Sequence, residues 1–437
     1  MIRLPGFGGQ SSAGGQPAKP GVCAALDLGS SKITCFISRN EETATGTRPR
    51  VIGVGHQPAR GIRAGAVVDM DQARDSIRTA VERAERMAGL AVSAATVTLT
   101  AGKIQSVRVQ VEAPLSAREV TDRDLKRALD AALAEADAAD RVVLHAFPMG
   151  WTVDDHAGVD DPRGMFGRKL GVVVHVVTAA AGPLRNLLNC IEASHLDLKG
   201  VVVTPYASAL AALSEDEMQM GATLIDMGAG ATSAAVFSDG ALLHVDAVPL
   251  GGAHVTKDVA RGLSTPLVSA ERIKILYGSA LDSPDDDREM IETPPVAGES
   301  DRMMSQPRSL LNAIIRPRLE ETFELLRDRL EAGGAGRASE RRLVLTGGAA
   351  QLPGTCEVAA RVFGRQARIA WPEGAAGLGD AVSGPGFSAA AGVILRESKG
   401  AAEAISGPPR VGAPGGRKFA AAEGQRRSIW RWLAESF

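Results

Sequence analysis

Two stretches about two hundred residues apart, GVCAALDLGSSKITCFISRN and GATLIDMGAGATSAAVFSDG, share one plan. In each, an apolar run short enough for a buried strand (Val22 to Leu26, Thr223 to Ile225) ends on an aspartate. A glycine-bearing bend follows, and then a second β-like run, Ile33 to Ser38 or Ala234 to Phe237. A chain carrying this hairpin twice is constrained to two related halves, each built around a sheet. Taken alone, DLGSSK is also a plain hairpin turn, the commonest use of Gly and Asp. The repetition argues for more.

The residue types in the two bends suit a nucleotide. Gly29, Gly228 and Gly230 can take positive φ and bring backbone N–H groups close to an anion. Successive N–H groups in such a turn form an anion-binding nest. Ser30 and Ser31 add hydroxyl donors, and Lys32 can add a charge-assisted contact to phosphate. Asp27 and Asp226 would repel phosphate unless a cation lay between. Mg²⁺ fits that place, since it keeps its waters and is held by one or two carboxylates plus phosphate oxygens. Two facing hairpins would then grip a triphosphate from both sides.

Composition removes several classes. The chain of 437 residues is long enough for two subdivided domains. A formal charge of −2 argues against nucleic-acid binding through bulk charge. Aromatic residues are 4% of the chain, so the core must rest on Val, Leu, Ile and Ala. Cys23, Cys35, Cys190 and Cys356 form no C-x-x-C pair, so neither a disulfide framework nor a zinc site is indicated, and a reducing compartment is expected. Residues 1–20 are rich in Gly, Ser, Pro and Gln and lack the apolar stretch of a signal peptide. They read as a disordered tail. No apolar run of about 18 residues appears, so no bilayer span is expected and the cytoplasm is the expected place.

Two later elements add to the site. RRLVLTGGAAQLPG is a strand, Leu343 to Leu345, followed by Thr346, Gly347, Gly348, Ala349 and a helix. Such a turn offers a flat backbone surface for a base. In SAERIKILYG, Glu271 and Lys274 lie three apart on one helix face; alone they would read as a solvated ion pair.

Together these motifs resemble the actin, Hsp70 and sugar-kinase superfamily, with DLGSSK as first phosphate loop, DMGAGAT as second and LTGGAAQLPG as adenosine loop. The closer resemblance is to the FtsA family of bacterial division proteins. It rests on GIRAGAVVDMDQARDSIRTAVERAERMAGL, TPYASALAALSEDEMQMGATLIDMGAG, VPLGGAHVTKDVARGLSTPLVSAERIKILYG and the terminal SIWRWL. The resemblance implies an α/β, actin-like, two-lobed ATPase fold with a small α+β subdomain inserted in the first lobe. It implies a first-lobe core at 21–98 and 178–204, the insertion at 99–177, a second-lobe core at 205–246 and 335–397, and an outer subdomain at 247–334. ATP with Mg²⁺ is implied between the lobes. Asp27 and Asp226 hold the metal. Gly29, Ser30, Ser31, Lys32, Gly228, Ala229, Gly230, Ala231 and Thr232 surround the phosphates, with Glu271, Lys274, Gly347, Gly348 and Ala349 on the base side. Ala229 and Ala231 fill variable positions of the second loop, and Thr232 comes one place later than in many relatives. Thr204 stands where hydrolysing relatives often carry Glu or Gln near the attacking water, and no general base is evident. ATP binding with weak or absent hydrolysis is therefore expected, with Thr204 or Thr232 as the groups able to orient a water. A soluble ATPase or kinase of the same superfold is the alternative; it would need a further carboxylate in the cleft and no terminal anchor.

The terminus QRRSIWRWLAESF explains itself as an in-plane membrane anchor. As a helix it sets Ile429, Trp430, Trp432, Leu433 and Phe437 mostly along one side, with Arg426, Arg427 and Arg431 on the flank. At about 18 Å it is too short to cross a hydrocarbon core of about 30 Å. Indoles favour the headgroup boundary, and arginines are drawn to an anionic surface. A helix packed on the protein's own core is the alternative. The Pro- and Gly-rich stretch 398–424 reads as a flexible tether with a reach of roughly 30 Å, which a helix docked at home would not need. One such helix binds weakly, and many on a filament bind tightly. The resemblance implies self-association into filaments, late division proteins on the inserted subdomain, and the C-terminal peptide of the tubulin-like protein FtsZ on the second lobe. There Arg302, Arg308, Arg316 and Arg318 form a basic cluster, of which Arg302 and Arg308 are the candidate contacts; a solvated face is the alternative.

Overall fold

The computed structural model describes residues 21–43, 46–100, 103–136, 140–296, 303–336, 341–400, 403–404 and 408–409. The duplication is real at the level of sheets. In the first half, Val22–Leu28, Lys32–Thr43 and Gly46–Pro58 form an antiparallel meander, and Ala94–Leu99 and Asp197–Val203 extend it in parallel beyond Val22–Leu28. In the second half, Ala222–Met227, Thr232–Ser238 and Ala241–Val248 form the same meander, extended by Arg342–Thr346 and Ala367–Ile369. The registers coincide: Asp27 lies opposite Thr34, and Asp226 opposite Ser233. The central strands are mostly apolar and buried, Val22–Leu28 from Ala24 onward and Ala222–Met227 throughout, as strands covered on both faces must be.

Small residues set the spacing of the layers. Helix Met70–Ala88 starts at Asp69, whose carboxylate accepts from the Gln72 N–H at 3.0 Å, and it buries Ala73, Ile77, Ala80 and Ala84 along one face. That face lies on Gly46–Pro58, where a Cβ on Gly55 would sit 1.9 Å from the Ala80 carbonyl oxygen. Helices Thr204–Ala212 and Ser388–Lys399 pack against each other between the sheets, the first on the second sheet and the last on the first.

Between the first-half strands sits a separate module. Gln105–Pro114, Lys169–Ala180, Arg141–Val153 and His156–Val159 make a four-stranded sheet in that order, with helix Asp122–Ala136 packed on it. Leu125, Leu129, Trp151, Val172 and Val174 form its own core. It also touches the second half: Ser106 Oγ donates to the Val245 carbonyl at 3.0 Å and accepts from the Val245 N–H at 2.8 Å.

The start of the expected tether differs from its sequence reading. Ser398 and Lys399 complete the last helix, and Glu403 and Ala404 are buried. Burial of Arg396 is the reason: its guanidinium needs a counter-charge, and Glu403 supplies it at 2.8 Å. The expected N-terminal tail, the anchor residues Arg426, Arg427, Ile429, Trp430, Arg431, Trp432, Leu433 and Phe437, and Arg302 lie outside the described residues. Among the described residues no helix is long and apolar enough to cross a membrane.

Candidate functional site

Both hairpin bends open on one cleft of about 620 Å³. Gly29, Ser30, Ser31 and Lys32 line it from the first half, and Gly228, Ala229, Gly230 and Ala231 from the second. The glycines work differently from the sequence reading. None of Gly29, Gly228 and Gly230 has positive φ. They are needed for space: a Cβ on Gly29 would lie 2.7 Å from the Lys32 carbonyl oxygen, and on Gly228 3.0 Å from that of Ala231. On Gly230 it would lie 2.5 Å from Ser30 Oγ and 2.8 Å from Ala64 Cα, so here the two halves meet across the cleft. Positive φ falls instead on two other glycines of the cleft, Gly65 at 73° and Gly347 at 88°, and a Cβ on Gly347 would strike Asp226 Oδ1 at 2.5 Å.

The two aspartates end their strands at the floor of the cleft. Thr98 Oγ1 donates to Asp27 Oδ1 at 2.6 Å, and Ser208 Oγ donates to Asp226 Oδ2 at 2.5 Å. Burial raises the pKa of Asp27 against the pull of Thr98 and Lys32. Burial also pushes Asp226 up to about 6, with the Asp27 charge adding to it. Burial lowers Lys32 to about 8, opposed by both aspartates, and its ammonium lies 3.1 Å from the centroid of the Phe387 ring. Two buried carboxylates, both raised by burial and one further by the other's charge, form a donor set suited to a hydrated divalent cation, and Mg²⁺ fits it. Asp27 and Asp226 would hold such an ion, which would neutralise phosphate charge.

The third wall gathers the remaining candidates. Glu271 and Lys274 are not a solvated pair: Lys274 is buried and lines the cleft. Its Nζ donates to Glu271 Oε2 at 2.7 Å, Thr256 Oγ1 at 2.9 Å and the Gly252 carbonyl at 3.2 Å. Gly347, Gly348 and Ala349 face it from the loop after Arg342–Thr346. Thr204 lines the cleft, with its hydroxyl 2.7 Å from that of Thr100. Thr232 is a correction: it does not line the cleft, and its hydroxyl donates to the Leu250 carbonyl at 2.8 Å. Side chains alternate along a strand, so the residue facing the cleft beside Asp226 is its cross-strand partner Ser233. The Ser233 hydroxyl is buried and has no hydrogen-bond partner among the described residues. Reading Asp226 and the following strand as one hairpin in register would have found it.

Comparison with known proteins follows this geometry. A family model described as "Cell division protein FtsA" matches residues 223–392, and one described as "SHS2 domain inserted in FTSA" matches 101–178. The cell division protein FtsA of Rhizobium meliloti (strain 1021) is 43% identical over 426 residues, covering 95% of each chain. The chain belongs to the FtsA family. FtsA of Escherichia coli (strain K12) is 31% identical over 380 residues, covering 85% of this chain and 89% of that one. Among solved structures, a PilM-PilN type IV pilus biogenesis complex aligns with TM-score 0.60 at 19% identity, covering 86% of this chain and 98% of the other. MreB5 of Spiroplasma citri bound to ADP aligns with TM-score 0.51 at 15% identity, covering 87% and 97%. The fold is thus the actin-like one, here in a cell division protein of the FtsA family with its SHS2 insertion.

The outer part of the second half carries the other candidate residues of this chain. Arg308 donates to Glu289 at 2.6 Å and to the Tyr277 carbonyl at 2.9 Å. Arg316 pairs with Asp282, and Arg318 with Asp258 and Glu321. The basic cluster is therefore largely neutralised within the lobe. Beside it, Leu267, Val268, Ile275 and Leu276 of helix Leu267–Tyr277 are exposed.

Proposed function

We propose that this chain binds ATP with Mg²⁺ between its lobes, assembles into filaments, and anchors FtsZ to the cytoplasmic face of the inner membrane at the division septum. The observation carrying the proposal is the cleft in which two hairpins of equal register present Asp27 and Asp226 beside tight glycine turns. Solved structures of the same fold, MreB5 of Spiroplasma citri bound to ADP and to AMPPNP, support a nucleotide there. Weak or absent hydrolysis follows from Thr204, a hydroxyl paired with Thr100 at the position where a general base is needed. The exposed apolar face of helix Leu267–Tyr277 supports docking of a peptide, and the C-terminal peptide of FtsZ is the partner expected near Arg308. The inserted module is the expected contact for later division proteins. Trp430, Trp432 and their flanking arginines supply the membrane anchor.

Sedimentation with vesicles containing phosphatidylglycerol tests this reading, comparing the full chain with one ending at Gly424, each with and without ATP–Mg²⁺. The full chain should pellet, more so with ATP–Mg²⁺ because assembly multiplies weak anchors, and the shortened chain should not. Equal behaviour of the two chains would refute the anchor.

A further inference from the structure

A buried polar path leads from the point where the chain leaves its last core helix to the floor of the cleft. Glu403 lies just beyond helix Ser388–Lys399, and the residue is 1% exposed. One oxygen accepts from Arg396 Nε at 2.8 Å, and the other meets His145 Nδ1 at 2.7 Å. The Ala404 N–H donates to the Ala146 carbonyl at 2.8 Å, which fastens the same segment to the inserted module's strand Arg141–Val153. Burial alone would raise the Glu403 pKa, but His145 and Arg396 hold it down at about 2.

His145 carries the path onward. Its Nε2 accepts from the Val203 N–H at 3.0 Å, which leaves the proton on Nδ1 to be donated to Glu403. Val203 ends the strand Asp197–Val203, and Thr204, the next residue, lines the cleft opposite Thr100. The imidazole touches the following helix a second time, with the Tyr206 ring edge-on at 5.5 Å. Imidazole, carboxylate and guanidinium are all nine-tenths buried or more, so none can relax into water when another moves.

We propose that Glu403 and His145 are positioning residues of the nucleotide cleft, holding the backbone at Val203 and Thr204, and that the cleft and the chain's exit toward its C-terminus are thereby coupled. A displaced Glu403 frees the imidazole that holds the Val203 N–H, and the wall carrying Thr204 shifts. Linkage makes the coupling reciprocal, so a nucleotide in the cleft must also hold the exit segment in place. This rests on the nucleotide reading above.

The test uses the full chain as wild type, E403A and E403Q, with ATPγS–Mg²⁺ as probe. Affinity is read by calorimetry, and hydrogen exchange is followed at the Ala404 amide. E403A should weaken binding about fivefold or more. E403Q keeps an acceptor for His145 but turns its amide N–H groups toward Arg396 and removes that guanidinium's counter-charge, so its affinity should fall between those of E403A and wild type. Nucleotide added to wild type should slow exchange at Ala404, an effect that a merely structural role would not produce. Unchanged exchange at Ala404 on saturation of wild type, or wild-type affinity in E403A, overturns the inference. If E403A does not fold, the exchange measurement on wild type decides. Wild type that binds no nucleotide overturns the nucleotide reading and this inference with it.

Discussion

Gly392→Ala is expected to loosen the protein at the helix pair that floors the cleft. A Cβ at Gly392 would lie 1.7 Å from the Ala207 carbonyl oxygen and 2.5 Å from its carbon. Both obstacles are backbone, so no side chain can swing aside. The helices Ser388–Lys399 and Thr204–Ala212 would have to separate by about 1.3 Å to restore a 3.0 Å contact, and a gap of about 0.5–1 Å already forfeits a quarter to a half of each dispersion contact. Overpacking of a tight core costs about 1–3 kcal/mol, and backbone against backbone belongs at the upper end. Alanine's helix preference over glycine offsets about 1 kcal/mol of this. The net loss is about 2 kcal/mol, or about 4–8 °C in Tm for a cooperative unit of about 150–250 residues. Because Thr204 and Ala389 line the cleft from these helices, affinity for ATPγS–Mg²⁺ should fall as well. The assay is calorimetric melting alongside Gly182→Ala, where nothing beyond its chain neighbours and its own helix backbone lies within 4 Å of the new methyl and no loss is expected. A Gly392→Ala protein melting with wild type would refute the close-packing argument.

Three further outcomes follow from the site. Asp226 titrates in the fold at about 6, above its ordinary value of 3.8, so between those values the folded state binds more protons and stability falls as pH rises. Asp226→Asn should therefore raise the Tm of the nucleotide-free protein more at pH 8 than at pH 4, while abolishing the Mg²⁺-dependent part of ATPγS binding; equal Tm gains at both pH values would count against the burial of a strained carboxylate. Lys274→Ala leaves Glu271 and the Gly252 carbonyl to share the single hydroxyl proton of Thr256 and should cost about 1–3 kcal/mol by denaturant titration, together with a drop in nucleotide affinity. Ser233→Ala removes a buried hydroxyl that has no protein partner among the described residues, so the nucleotide-free Tm should hold or rise while ATPγS–Mg²⁺ affinity falls; unchanged affinity would show that the hydroxyl faces nothing in the loaded cleft.

The hairpins and the cleft between them were legible because they rest on local patterns, apolar runs and bends marked by Asp and Gly, while the insertion was legible through the family resemblance. Three details were not. That Gly29, Gly228 and Gly230 serve close approach rather than left-handed φ depends on what faces them, Lys32, Ala231 and Ser30, which no local pattern reports. That Thr232 points away while Ser233 faces the cleft depends on strand register, and a slip of one residue inverts every side chain. That Glu403 is buried, although it falls in a stretch of Ala, Gly and Pro, depends on Arg396 and on His145, which is 258 residues away in sequence.

The symmetry of the halves also explains why the site is built from so few charged groups. Equal registers carry Asp27 and Asp226 to matching strand ends, and the halves close on each other where Gly230 meets Ser30 and Ala64. Burial weighs against the ionised form of both carboxylates in the empty cleft, and the Asp27 charge adds to this at Asp226. A bound cation–phosphate group would reverse the sign of that term, so the same carboxylates that strain the empty cleft would draw the lobes together once it is filled. The Gly230 contact, which admits no side chain, joins the two halves beside that site.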